Sequence, residues 1–174
     1  NLYAINWSRQ AIATSSRAVV VEGYLDALML LQAGIDNVVA TLGTALTERH
    51  VRLLSRYAQQ VVLVFDADVA GQAAAERAVE LFLSARIDVR VATVPTGAGD
   101  EVKDPCDYVL AAGAEAFREL IDRAPDALSF AWDRRAAAYR AAETMTGRRE
   151  VVEDFLRTVV SSAAYGGLDT LREG

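Results

Sequence analysis

The chain has 174 residues, 52% of them apolar, a single cysteine and a formal charge of −6. That length is enough for one domain with a sizeable core, and the lone Cys106 excludes an internal disulfide and any cysteine-built zinc cluster, which suits a reducing cytoplasm. No apolar run approaches the roughly 20 residues of a membrane helix, no basic leader precedes a short apolar stretch, and the negative charge argues against strong nucleic-acid binding by this segment alone unless its acids gather around cations. The first residue is Asn1 rather than methionine, which predicts a piece of a longer protein. Lys103 is the only lysine among many arginines, and alanine is abundant; both read as genome composition.

In chain order, residues 18–22 (AVVVE) form a short β-branched run ending in an acid, the pattern of a strand buried on both faces. Residues 24–33 carry apolar positions at helical spacing and stop at Gly34, a C-cap residue. Residues 36–41 read as a second strand, and LGTAL as a glycine-containing turn. Thr47 is placed as the N-cap of a helix reaching about Tyr57, with Glu48 in its first turn. Residues 60–65 (QVVLVF) are a third buried strand, followed directly by DADVAG, an alanine-rich helix over 70–85, and a fourth strand over 87–94. This β-α-β-α-β-α-β order predicts an α/β fold with a mostly parallel four-stranded sheet, flanking helices and right-handed crossovers. Residues 95–103 read as a loop, and Pro105 sits in the first turn of a short helix ending at Gly113. A further helix follows over 114–123. From Asp126 the pattern is wholly helical, with Thr146-Gly147 as the break, and the last ten residues fray or begin another helix.

Ligands of open α/β sheets bind at the carboxyl ends of the strands. Glu22 ends the first strand, Asp66 and Asp68 follow the third, and Asp104 opens the segment after the fourth. Such acids, converging without histidine, suit Mg²⁺ or Mn²⁺ and the handling of phosphates. Any one of them alone is also an ordinary helix cap or loop acid. An acid-glycine pair after one strand together with Asp-x-Asp after another is the specific signal.

The stretches V-V-V-E-G-Y-L-D at 19–26, A-T-L-G-T-A-L-T at 40–47 and F-D-A-D-V-A-G at 65–71 resemble the TOPRIM domain of bacterial DnaG-type primases. TOPRIM alone also admits topoisomerases, gyrase-like subunits, recombination mediators and small nucleases. The E-G-Y-L-D and L-G-T-A-L-T pair is far more specific to primases. The opening N-L-Y-A-I and the later D-P-C-D-Y-V-L segment extend the likeness. The resemblance implies a lead-in segment over 1–17, a TOPRIM domain over 18–124, and a helical subdomain of the primase core over 125–174. It implies synthesis of RNA primers from ribonucleoside triphosphates on a single-stranded DNA template. Glu22, Asp66 and Asp68 would be catalytic. Together with Asp104, Asp26 and Asp107 they would form the metal set for Mg²⁺ or Mn²⁺, with zinc only in a domain outside this chain. Further implied are contact with a replicative helicase through another domain, guanosine tetra- or pentaphosphate as a regulator, and a place in the bacterial cytoplasm at the replication fork, with no membrane.

The sequence departs from the family at Val69 and Gln72, where many primases carry arginines. The second acid of the D-P-D motif falls on Cys106, so either Asp107 replaces it through a shifted turn or that ligand is absent. Gly43 and Thr44 read either as a turn beside phosphates or as a tight turn that needs glycine. Lys103 has the reach for a nucleotide phosphate. Gly23 fits a close backbone approach beside the metals. His50 reads as surface or core, Trp7 and Trp132 as packing residues, and Arg134, Arg135, Arg148 and Arg149 as solvated helix faces. Two rival functions stay open: a nuclease or topoisomerase fragment, which would nick or relax supercoiled DNA, and a regulatory module that binds a nucleotide through metal.

Overall fold

The computed structural model describes residues 1–42, 45–66, 78, 81, 87–95 and 102–167. Its strands are β1 (Arg17–Val21), β2 (Val38–Ala40), β3 (Gln60–Phe65) and β4 (Asp88–Thr93). They form one sheet in the order β2-β1-β3-β4, and every neighbouring pair is parallel. The helices are α1 (Ile5–Ser15), α2 (Tyr24–Gln32), α3 (Glu48–Leu54), α4 (Pro105–Asp122), α5 (Ala127–Ala141) and α6 (Met145–Gly167). The helix expected over 70–85 lies outside the described residues except at Ala78 and Leu81, which are helical.

The valine-rich strands are apolar throughout because both faces of the sheet are covered. Val20, Val39, Val61 and Leu63 point to one side, where Ile12 of α1, Val51 and Leu54 of α3, and Ala127 and Ala131 of α5 pack on them. Val19, Val21, Val62 and Val64 point to the other, against Leu30 of α2 and Val109, Phe117 and Ile121 of α4. Both sheet edges are covered as well. Tyr3 bridges Ala40 on the outer side of β2, and the Val91 amide of β4 donates to the Pro125 carbonyl at 3.0 Å. These contacts occupy backbone groups that an open edge would leave exposed to another chain.

Local chemistry sets the helix ends. At the end of α2, Gly34 takes φ +79°; its amide bonds the Leu31 carbonyl and that of Ile35 the Leu30 carbonyl, a Schellman closure that favours glycine. Thr47 is the extended N-cap of α3 but makes no side-chain cap bond, and α3 ends at Leu54 rather than Tyr57. Its last turn tightens, with the Tyr57 amide on the Leu54 carbonyl. Gly113, at φ 85° and ψ 167°, kinks α4, where the sequence suggests two helices. Asp126 caps α5 by accepting from the Leu128 and Ser129 amides. The break before α6 falls at 142–144, not at Thr146-Gly147, because the Thr144 hydroxyl oxygen accepts from the Gly147 amide and starts the helix there.

The lead-in contains α1, which the sequence pattern did not announce. It buries Ser8 and Ile12, and the Ser8 hydroxyl donates to the Val38 carbonyl at 2.6 Å. Trp7 is 65% exposed and only edges onto Tyr3, so it is not the packing residue expected. Trp132 meets Phe155 edge to face at 5.2 Å and joins α5 to α6. Among the described residues no helix is long and apolar enough to cross a membrane.

Candidate metal and nucleotide site

Strands β1 and β3 are adjacent and in parallel register, with Val20 opposite Leu63. Glu22 follows the last residue of β1 and Asp66 the last residue of β3. That register sets Glu22 across from Phe65, so the two acids stand one residue out of step on strands about 4.8 Å apart. Glu22 and Asp66 are half-buried, and each has a carboxylate oxygen shielded from solvent. Carboxylates at neighbouring strand ends offer hard oxygen donors that a divalent cation can join. Asp68, Gly43 and Thr44, also expected here, lie outside the described residues.

The other acids belong to two helix starts at the same edge. Asp26, in the first turn of α2, is buried at 7% exposure. Its Oδ2 accepts from the Gly23 amide at 3.1 Å, and its Oδ1 accepts from the Cys106 amide at 3.1 Å, 80 residues away. Asp26 therefore joins the start of α2 to the start of α4. Burial, first of all, pushes its carboxyl above the usual range, with repulsion from Asp104 and Asp107 adding to the rise against the two amide bonds. Gly23 has a definite reason to be glycine. A Cβ there would meet Asp26 Oδ2 at 2.7 Å, so the close approach is to Asp26.

Asp104 is the N-cap of α4, its Oδ1 accepting from the Asp107 amide at 2.8 Å. Pro105 follows at the first helical position. Asp107 turns back to accept from the Lys103 amide at 3.3 Å. Cys106 is half-buried. Its thiol is pushed up by burial and then by Asp104, Asp26 and Asp107, which disfavours the thiolate that a nucleophile or thiolate ligand requires. Lys103 is exposed beside this cap.

Three backbone amides that might have cradled a phosphate at these helix starts are thus already taken, those of Gly23, Cys106 and Asp107. Anion binding at a helix start needs such donors to be available. A phosphate arriving at this edge meets carboxylates first, which makes a bridging cation the chemically suitable intermediary. The donors of Glu22 and Asp66 are all oxygen, which fits Mg²⁺ or Mn²⁺. Among the described residues no three His, Cys, Asp or Glu side chains already stand as a cluster that could hold an ion.

Sequence reasoning did not find the tie between Asp26 and Cys106, and no local signal marks a contact 80 residues apart. It also passed over Thr41, buried at the end of β2 with its amide on the Val21 carbonyl. Of the arginines of α5 and α6, Arg135, Arg148 and Arg149 are engaged within the chain, and Arg135 is half-buried rather than on the solvated face expected. Arg135 pairs with Asp154, Arg148 lies 5.6 Å over the Tyr139 ring, and Arg149 pairs with Glu153.

Residues 19–109 match the model of a family described as Toprim-like. The DNA primase of Clostridium acetobutylicum is 41% identical over 130 residues, covering 75% of this chain and 21% of the relative. That of Synechococcus elongatus is 45% identical over 130 residues, covering 71% of this chain and 18% of the relative. The chain therefore spans about a fifth of these relatives. A solved structure of the DnaG primase catalytic domain bound to single-stranded DNA superposes with a TM-score of 0.78 at 31% identity, covering 92% of this chain and 51% of that one.

Proposed function

Because the chain belongs to the Toprim-like family, in the branch formed by the catalytic region of bacterial DnaG-type DNA primases, we propose that it carries the metal-dependent catalytic edge of an enzyme that joins ribonucleoside triphosphates into short RNA primers on single-stranded DNA. The observation that carries this reading is the placement of Glu22 and Asp66 at the ends of adjacent parallel strands, one residue out of register.

Glu22 and Asp66, completed by Asp68, would hold Mg²⁺ or Mn²⁺, with Asp104 and Asp107 at the rim of the same edge. The bound ion would neutralise charge growing on the triphosphate and lower the pKa of the attacking hydroxyl. Glu22 would act near the chemistry as a metal-associated acid or base. Asp26 fixes the spacing of α2 and α4 behind these acids and is a positioning residue. Lys103, exposed beside the α4 cap, would meet the outer phosphates of the nucleotide. Guanosine tetraphosphate, with its own diphosphates, would compete for the same cation. The enzyme would act in the bacterial cytoplasm at the replication fork, with the helicase contact and a zinc-bearing domain supplied by other parts of the protein.

The test is Asp66→Asn in the intact enzyme. Primer synthesis on single-stranded DNA should fall on the order of 10²–10³-fold, the usual loss when a group that stabilises transition-state charge is removed, while DNA affinity holds. Undiminished primer yield would refute the assignment.

A further inference from the structure

Separate from the carboxylates of the candidate site, α3, the turn that follows it and Asn1 form a pocket of about 310 Å³ lined by Asn1, Arg49, His50, Arg52, Leu53 and Arg56. Its lining carries three arginines and no acid, in a chain whose formal charge is −6. Arg49, Arg52 and Arg56 recur at i, i+3 and i+7, which places them along one side of α3 and the turn that follows it. They span roughly 10 Å along the helix axis at about 1.5 Å per residue. Arg52 is paired with Glu48 in an exposed contact at 2.9 Å, the weak kind that competing anions displace readily. Arg49 and Arg56 have no carboxylate partner among the described residues. At the wall of the pocket His50 is 6% exposed, and its Nδ1 is buried without a hydrogen-bond partner among the described residues. Buried polar atoms are ordinarily satisfied, so this ring nitrogen has hydrogen-bonding capacity that no described residue uses.

We propose that this pocket binds backbone phosphates of single-stranded DNA, with Arg49 and Arg56 as the charged donors and His50 as a neutral hydrogen-bond donor in its wall. Two features favour a strand over a lone ion. Phosphates recur regularly along a single strand, so a row of arginines roughly 10 Å long is suited to engage more than one of them. Guanidinium forks also suit phosphate oxygens. The imidazole can serve as a donor without carrying charge. Burial, with the positive charge of Arg49 beside it, holds its pKa below the usual value, and a neutral imidazole still donates from one nitrogen. The proposal rests on single-stranded DNA being the template of the intact enzyme.

The experiment measures binding of a fluorescein-labelled single-stranded DNA oligomer by anisotropy across a salt series, using the intact enzyme and its Arg49→Gln/Arg56→Gln variant. Both side chains are exposed, so neither replacement disturbs the core. Each phosphate contact on a single strand contributes about 0.7 to the slope of log affinity against log salt. Loss of two contacts should therefore flatten the slope by about 1.4 and weaken binding several-fold at 0.1 M salt. The Arg49→Lys/Arg56→Lys variant should keep the slope. Unchanged slope and affinity in the glutamine variant would overturn the proposal. So would calorimetric binding of inorganic phosphate that the glutamine variant loses while its DNA slope stays that of the wild type, since that marks a free-anion site. Asp66→Asn run in parallel separates the two readings. If primer synthesis survives that change, the catalytic reading fails, and the salt slope still decides the pocket.

Discussion

Asp26 offers the sharpest test of how this edge is built. The perturbation is Asp26→Ala, which leaves the amides of Gly23 and Cys106, each now 3.1 Å from a carboxylate oxygen, without their acceptors. Hydrogen bonds to a charged group are worth about 1.5–3 kcal/mol each, so the gross loss is roughly 3–6 kcal/mol. Part of that returns, because burial and the neighbouring Asp104 and Asp107 make the ionised carboxylate unfavourable where it stands. A net loss of about 2–3 kcal/mol is expected. At roughly 2–4 °C per kcal/mol for a chain of this size, Tm should drop by about 4–12 °C. The pH dependence carries an independent signature. The folded pKa of Asp26 is raised above 3.8, so the folded state binds more protons than the unfolded one and stability must fall as pH rises. What Asp26 contributes is fully present below 3.8 and declines as pH climbs through the raised folded value. Asp26→Asn does not titrate, so the advantage of the wild type over it should shrink as pH increases through that window. Urea unfolding followed by circular dichroism from acid to neutral pH measures both effects. An alanine variant melting within about 1 °C of wild type, or a gap over the asparagine variant that widens with pH, would refute the reasoning.

Gly23→Ala should destabilise by about 1–2 kcal/mol through crowding of the held carboxylate, since its Cβ would lie 2.7 Å from Asp26 Oδ2. In an Asp26→Ala background that cost should nearly vanish, which a double-mutant cycle by chemical denaturation reads directly. Asp126→Ala should cost about 1 kcal/mol as a lost N-cap. The Ser129 amide and then its hydroxyl hold the Asp126 carboxyl below its usual range. Its stabilisation is present above 3.8 and lost as pH falls through the lowered folded value, so the two melting curves should converge in acid. Glu22→Gln and Asp66→Asn should each weaken Mn²⁺ binding at least about tenfold, read as free Mn²⁺ by electron paramagnetic resonance. Equal affinity in both variants and wild type would remove them from the metal set.

Much of the fold was legible because a strand covered on both faces writes itself as an unbroken β-branched run. Residues 60–65 match β3 to the residue, and Gly34 and Gly113 mark backbone states that disfavour a side chain. Helix α1 was not legible, because its inward side is carried by Ser8 as well as Ile12. A serine reads as polar until its carbonyl partner on β2 is seen. The break before α6 was misplaced by a few residues for a related reason. Gly147 draws the eye as a breaker, whereas it donates its amide to the capping Thr144.

By itself the sequence determined the α/β class, the strand order along the chain, and the identity of the acids that end β1 and β3. Those features follow from local composition and period, which need no distant partner. Only the tertiary structure decided what each acid meets. Strand register brought Glu22 beside Asp66, and the packing of α2 on α4 turned Asp26 into a tie to the Cys106 amide. Asp104 and Asp107 became acceptors at one helix start, and the arginines of α3 and the turn after it came to line one pocket with His50. A carboxylate has the same chemistry in every sequence. Which proton, cation or amide it meets is set by residues brought to it from elsewhere in the chain.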